Sequence, residues 1–144
     1  MSYPTLKIPD IYKEPKRTIE IPFNAVVPLR VGIVNGRVTL VSSLISYPFR
    51  VLRIKMVFDE FALNNLLIRW FISTTATTSA TGPPSGDDIT ATESPTPFFL
   101  GNSLVLVANI NQDYPSARHY LKMYCENVNL YAVQANCTMI IQEI

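Results

Sequence analysis

The sequence predicts an all-β fold: a jelly-roll-like antiparallel sandwich of about eight strands, with an extended N-terminal arm and a long polar surface loop. Three observations carry this. Apolar and polar residues alternate with period two in most segments. Turn residues recur every eight to fourteen positions where the polar segment does not intervene. No segment shows the 3.6-residue periodicity of an amphipathic helix. Two Greek keys would use eight strands. An immunoglobulin-like sandwich is the second choice, because Trp70 precedes both Cys125 and Cys137 rather than lying between them.

At 144 residues the chain fits one domain. Residues 1–18 form the arm and residues 19–144 the sandwich, with 73–97 as its long loop. In the arm, Pro4, Pro9 and Pro15 exclude a helix and favour extended backbone. Leu6, Ile8, Ile11 and Tyr12 are apolar there without a domain of their own to bury them. Two readings stand: a free tail, or an arm laid on a neighbouring subunit.

In the first strand, TIEIPF, Ile19, Ile21 and Phe23 fall on one side. Two β-rich runs, VVPLRVGIV and RVTLVSSLI, then flank Asn35-Gly36, the strongest short hairpin signal. Pro28 suggests an edge or a bulge. In YPFRVLRIKMVF, Leu52, Ile54, Met56 and Phe58 oppose Phe49, Val51, Arg53, Lys55 and Val57. In LLIRWFIS, Leu66, Ile68, Trp70 and Ile72 share a face.

Residues 73–97 are nearly all Thr, Ser, Ala, Pro and Gly. Such a segment buries too little apolar surface to offset its ordering entropy. Pro83, Pro84, Pro95 and Pro97 lack N–H groups, which argues against edge pairing. Either a tolerated insertion or a projecting contact loop fits this composition. Beyond it come PFFLGNSLVLVANI and a loop at NQDYPSA. RHYLKMYCE sets Leu121, Met123 and Cys125 against Lys122, Tyr124 and Glu126. LYAVQANCTMIIQEI then aligns Tyr131, Val133, Ala135, Cys137, Met139 and Ile141. Were these last two strands a hairpin turning near Val128, Cys125 would face Tyr131 and Cys137 would face His119. Both thiols are expected to be free and buried.

The residues offer little chemistry, so no enzymatic role, cofactor or metal is expected. His119 is the single histidine, inside a strand and without a glycine-rich elbow. One His and two spaced Cys do not make a zinc set. The Gly86–Asp88 stretch lacks the further ligands and closing Glu of a calcium loop. Asn136-Cys137-Thr138 is a sequon by letter only, placed in a strand. A net charge of +1 argues against nucleic acid. No leader segment and no run of 18 apolar residues points to a membrane.

Charged residues make up only 16% of the chain, against about 25% in average domains, which favours surfaces covered by neighbours. Residues 1–72 hold ten Lys/Arg and five Asp/Glu, whereas residues 73–144 hold two and six. This asymmetry fits strand faces, or complementary patches between subunits. Tyr47, Trp70, Phe98, Phe99, Tyr114, Tyr120, Tyr124 and Tyr131 supply core and interface anchors, or a sugar-stacking platform.

The order YPFRVLRIKMVF, NLLIRWFISTT, GPPSG and YLKMYCENVNLYAVQANCTMIIQEI resembles small jelly-roll proteins of bacteriophage and other virus particles. These include head-decoration (cement) proteins and single-jelly-roll capsid components. The resemblance spans about residues 45–144 and transfers no functional residue. It implies a virion structural protein, assembled in the host cytoplasm and homo-oligomeric, often trimeric. Its partners would be copies of itself and the major capsid or other virion proteins. A chain this short fits decoration better than the main shell. On this reading Leu6, Ile8, Ile11 and Tyr12 bind a neighbouring subunit. The alternative is a carbohydrate- or receptor-binding sandwich module.

Overall fold

A computed structural model describes residues 16–58, 66–79, 82–89, 98–99 and 105–144. These residues form nine strand segments and no helix. Seven are long: β1 (Thr18–Val27), β2 (Gly36–Val41), β3 (Phe49–Phe58), β4 (Leu66–Ser73), β7 (Val105–Tyr114), β8 (Tyr120–Asn127) and β9 (Val133–Glu143). Two are short, β5 (Asp87–Asp88) and β6 (Phe98–Phe99), and both pair with β4. Taken as one interrupted strand, they bring the total to eight.

The strands make two antiparallel sheets, ordered β1-β9-β3-β7 and β2-β8-β4-β5, with β6 beside β5 along β4. Their inner faces meet in one apolar core. Phe23, Ile54, Met56, Cys137, Met139 and Ile141 come from the first sheet, and Ile68, Trp70, Leu121, Met123 and Cys125 from the second. Period-two alternation therefore selects the buried face, as in β1, where Phe23 and Val27 are buried and Ile19, Ile21 and Ala25 lean on the core.

In β3 the inward face changes parity along the strand. Phe49 and Val51 are buried, and so are Ile54, Met56 and Phe58, which belong to the opposite set by parity. The register shifts between Val51 and Arg53 against both β7 and β9. A β-bulge there switches the inward face. Across the shift, Asn111 of β7 takes φ +53°, a left-handed conformation that asparagine tolerates. With that bulge, β7 runs on to Tyr114, so NQDY is strand where the composition indicated a loop.

Asn35-Gly36 does not turn the chain. The turn is at Gly32-Ile33, where Val31 and Val34 exchange both backbone hydrogen bonds, at 2.9 and 3.0 Å. Gly32 alone takes positive φ there (+62°), which fits a type II′ turn. Gly36 instead opens β2 directly beneath the Pro28 carbonyl, and a Cβ at this position would collide with that backbone oxygen. The glycine serves close backbone approach rather than a turn. Gly36→Ala is expected to destabilise the fold by about 1–3 kcal/mol, because backbone cannot yield as a side chain can. Urea denaturation with an unchanged m-value would measure it.

β8 and β9 are not a hairpin either. They lie in opposite sheets, with Cys125 opposite Val38 and Ile68, and Cys137 opposite Phe23 and Met56. Both thiols are free and buried. Burial, followed by the nearby Cys137, pushes the Cys125 thiol well up, and burial pushes Cys137 up to about 12. Facing sheets pack about 10 Å apart, whereas a disulfide needs Cα atoms within about 7 Å. Both thiols are therefore expected to resist a thiol reagent at pH 8 in the native protein and to react together on unfolding. Labelling followed by mass spectrometry tests this.

Four ion pairs join the described residues: Arg17–Glu143, Arg37–Glu126, Arg50–Asp113 and Arg69–Asp88. Each links a base from residues 1–72 to an acid from residues 73–144. The pairing of early strands with late ones thus absorbs part of the charge asymmetry inside the subunit. Arg17–Glu143 and Arg50–Asp113 are the more exposed pairs and add little to stability, whereas Arg37–Glu126 and Arg69–Asp88 are half-buried.

Candidate functional site

Three surface features stand out: a polar pocket beside the long loop, an apolar apex, and a groove along one open edge.

The described part of the loop, residues 73–79 and 82–89, is tied to the sandwich at several points. Its Asp87–Asp88 pair with Phe71 and Ile72 of β4, and Ile89 donates its N–H to the Trp70 carbonyl at 3.0 Å. Ile89 and Pro84 are buried. Edge pairing is possible because the prolines flank this stretch, leaving its N–H groups available. Lys122 of β8 holds the loop from beneath. It is fully buried, and its Nζ donates to the carbonyls of Thr77 (2.6 Å) and Ser85 (3.3 Å). Burial pushes this ammonium below its usual range. Lys122, placed by alternation on the solvent face of β8, is covered for this reason, and Tyr124 on the same face is also buried, its hydroxyl donating to Glu126 at 2.8 Å.

Between the loop and the end of β7 lies a pocket of about 420 Å³, lined by Ser73, Thr75, Ser85, Asp87, Tyr114 and His119 among others. Tyr114 donates its hydroxyl to Asp87 Oδ2 at 2.6 Å, and Gln112 Nε2 donates to the same oxygen at 3.1 Å. Burial and then the Asp87 bond push the phenol up, keeping it a donor. Asp88 meets Arg69 at 3.3 Å. The carboxylates of the Gly86–Asp88 stretch are thus committed to protein partners, and no group of three metal-ligating side chains occurs among the described residues.

His119 is buried, with its ring edge-on to Phe49 and Tyr114, and its Nδ1 has no hydrogen-bond partner among the described residues. The nearby hydroxyls bond one another instead, Ser73 to Thr75 at 3.3 Å and Thr75 to Thr77 at 2.9 Å. Among the described residues no hydroxyl bonds the imidazole. Of the aromatic residues, Trp70 and Tyr124 are buried, and the Tyr114 ring is stacked on Phe49 at 5.3 Å, so these three rings serve packing.

The apex is built from the β1–β2 connection and the β8–β9 turn. Asn127, fully buried, joins them. Its Nδ2 donates to the carbonyls of Pro28 (3.1 Å), Tyr131 (3.0 Å) and, more weakly, Val27 (3.4 Å). Its Oδ1 accepts from the Asn129 backbone (2.9 Å) and side chain (2.8 Å). The Arg30 N–H donates to the Asn129 carbonyl at 2.8 Å, closing the two loops together. On this platform stand Ile33 (99% exposed), Val31 (72%) and Leu130 (68%), with Leu29, Val34 and Tyr131 also exposed. Alternation placed Tyr131 in line with the core face. It falls outside because β9 begins only at Val133 and the Tyr131 carbonyl is drawn to Asn127.

The groove, of about 360 Å³, lies where the open edges β1 and β2 approach at their other end. Its walls include Ile19, Ile21, Pro22, Ile45 and Tyr47, with Glu20 at the rim. No local signal in the sequence marks this groove or the apex, since both depend on which strands are edges. The arm residues Leu6, Ile8, Ile11 and Tyr12 lie outside the described residues. No family model matches the chain, and no curated protein matches it significantly.

Proposed function

We propose that the protein is a structural component of a virus particle, a decoration subunit that stabilises a shell by binding its neighbours. The observation that carries this reading is the strand order. Lay eight strands as one long hairpin, first against last, and roll it: the two sheets acquire the interleaved order of β1-β9-β3-β7 and β2-β8-β4-β5. That order supports reading the sandwich as a jelly roll. A fold hosts many functions. The particle role is favoured by what the surface offers, an apolar apex and a charge-poor exterior suited to association. In this reading Leu6, Ile8, Ile11 and Tyr12 reach a neighbouring subunit, and two linked contacts give avidity that neither has alone.

The test is co-sedimentation of the purified protein with shells from the virus that encodes it, alongside a chain lacking residues 2–15. Binding that raises the temperature of shell rupture is expected, with most of the effect lost on deletion. A protein that stays in the supernatant overturns the decoration role. Equal protection without residues 2–15 overturns the part given to the arm.

A further inference from the structure

The apex and the groove sit at opposite ends of the same edge. β1 runs from the groove residues Ile19–Pro22 up to Val27, the hairpin of Val31–Val34 forms the tip, and β2 returns to Ser42 and Ser43 on the groove's far wall. Six residues of strand, about 20 Å at 3.3 Å per residue, separate Ile21 from Val27. One end is convex and apolar, and the other is concave with mostly apolar walls. Among the described residues the Arg30 guanidinium beside the tip has no ion partner, and neither has Glu20 at the groove rim.

We propose that copies of this protein associate head to tail, the Val31–Ile33–Val34 tip of one seating in the Ile21–Tyr47 groove of the next, with Arg30 meeting Glu20. This deepens the oligomeric part of the virion reading and rests on that part alone. Area decides against two tips meeting face to face. An apolar patch of a few hundred Å² falls well short of the roughly 800 Å² that each partner gives a stable interface. A tip inside a groove is wrapped on several sides and adds the groove walls to the contact. The tip is also rigid, tied down by Asn127 and the Val31–Val34 bonds, so little ordering entropy opposes docking. Charge complementarity favours a second copy over a lipid surface, because the carboxylate in the groove answers the cation beside the tip. A contact between two different patches is heterologous, and it closes into a ring or continues as a filament according to the rotation per step.

Sedimentation velocity of the full chain over a wide concentration range reads this directly, with no shell present. A mass that rises with concentration is expected. Ile33→Asp (tip) and Ser43→Trp (groove) should each weaken association by roughly tenfold or more. Circular dichroism confirms that each variant is folded, and both changed positions are exposed. The decisive result is the equimolar mixture of these two variants. It should yield a dimer and nothing larger, because only one good tip and one good groove remain to meet. The charge reversals Arg30→Glu and Glu20→Arg should weaken association singly and restore it when combined in one chain.

A wild-type monomer at all concentrations overturns the proposal, as does a mixture that forms no dimer. So does association abolished by Ile8→Asp with Ile11→Asp but untouched by Ile33→Asp, which would assign the groove to the arm. Flotation with anionic phosphatidylserine vesicles that depends on Ile33, without self-association, would assign the tip to a membrane. Failure to bind shells leaves head-to-tail association standing and removes only the decoration role.

Discussion

Replacing Asn127 with alanine is expected to cost about 3–5 kcal/mol of stability, among the largest effects of any single polar substitution in this chain. The side chain is fully buried and serves five partners: three carbonyls through Nδ2 and the Asn129 backbone and side chain through Oδ1. An amide carries only two hydrogens, so one of them is shared between two carbonyls. Each lost bond costs about 1 kcal/mol, and each buried group left without a partner costs about 1–3 kcal/mol more. Solvent reaching the loops would recover part of this. Urea denaturation gives the total. Amide exchange locates it, since the Arg30 N–H bonded to Asn129 should lose protection before the core strands do. Asn129→Ala removes one of these side-chain bonds and should cost distinctly less. An Asn127→Ala protein with unchanged stability would show that the two loops hold each other without it.

Trp70→Ala is expected to cost about 3–5 kcal/mol, and it tests where the aromatic residues act. Trp70 is fully buried in β4 and meets Phe23 of β1 edge-on, with ring centroids 5.1 Å apart and planes at 85°. It therefore spans the space between the sheets. Removing it leaves a large cavity that close-packed neighbours fill only in part. Trp70→Phe keeps the aromatic contact and most of the volume, so its loss should be smaller. Circular dichroism in urea measures both. A near-neutral alanine variant would mean that this part of the core is loosely packed, contrary to its burial.

How far the sequence foretells the site depends on how local each feature is. β1, β4 and β9 are legible because one buried face imposes period two on the residues themselves: Ile19, Ile21 and Phe23; Leu66, Ile68 and Trp70; Val133 through Ile141. β3 is legible only in halves, because a bulge leaves no mark beyond two apolar sets that disagree in parity. β8 carries Lys122 on what alternation makes its outer face. Nothing in RHYLKMYCE indicates that carbonyls of Thr77 and Ser85, some forty residues earlier, will come to cover it. Asn35-Gly36 satisfies a strong local turn rule, yet the turn forms at Gly32-Ile33. Tertiary contact outweighs turn propensity there, since the Pro28 carbonyl leaves room at residue 36 for glycine alone.

The sequence by itself determined the all-β class, the inward face of most strands and the burial of both thiols. These follow from side-chain alternation and composition, which are properties of neighbouring residues. Tertiary structure alone decided that β1 pairs with β9, that β8 and β9 part into opposite sheets, and that β1 and β2 are left as edges. Strand pairing joins residues more than a hundred positions apart through backbone groups common to every residue, so the local sequence does not encode the partner. The apex and the groove are consequences of that pairing, which is why they appear only once the strands are in place.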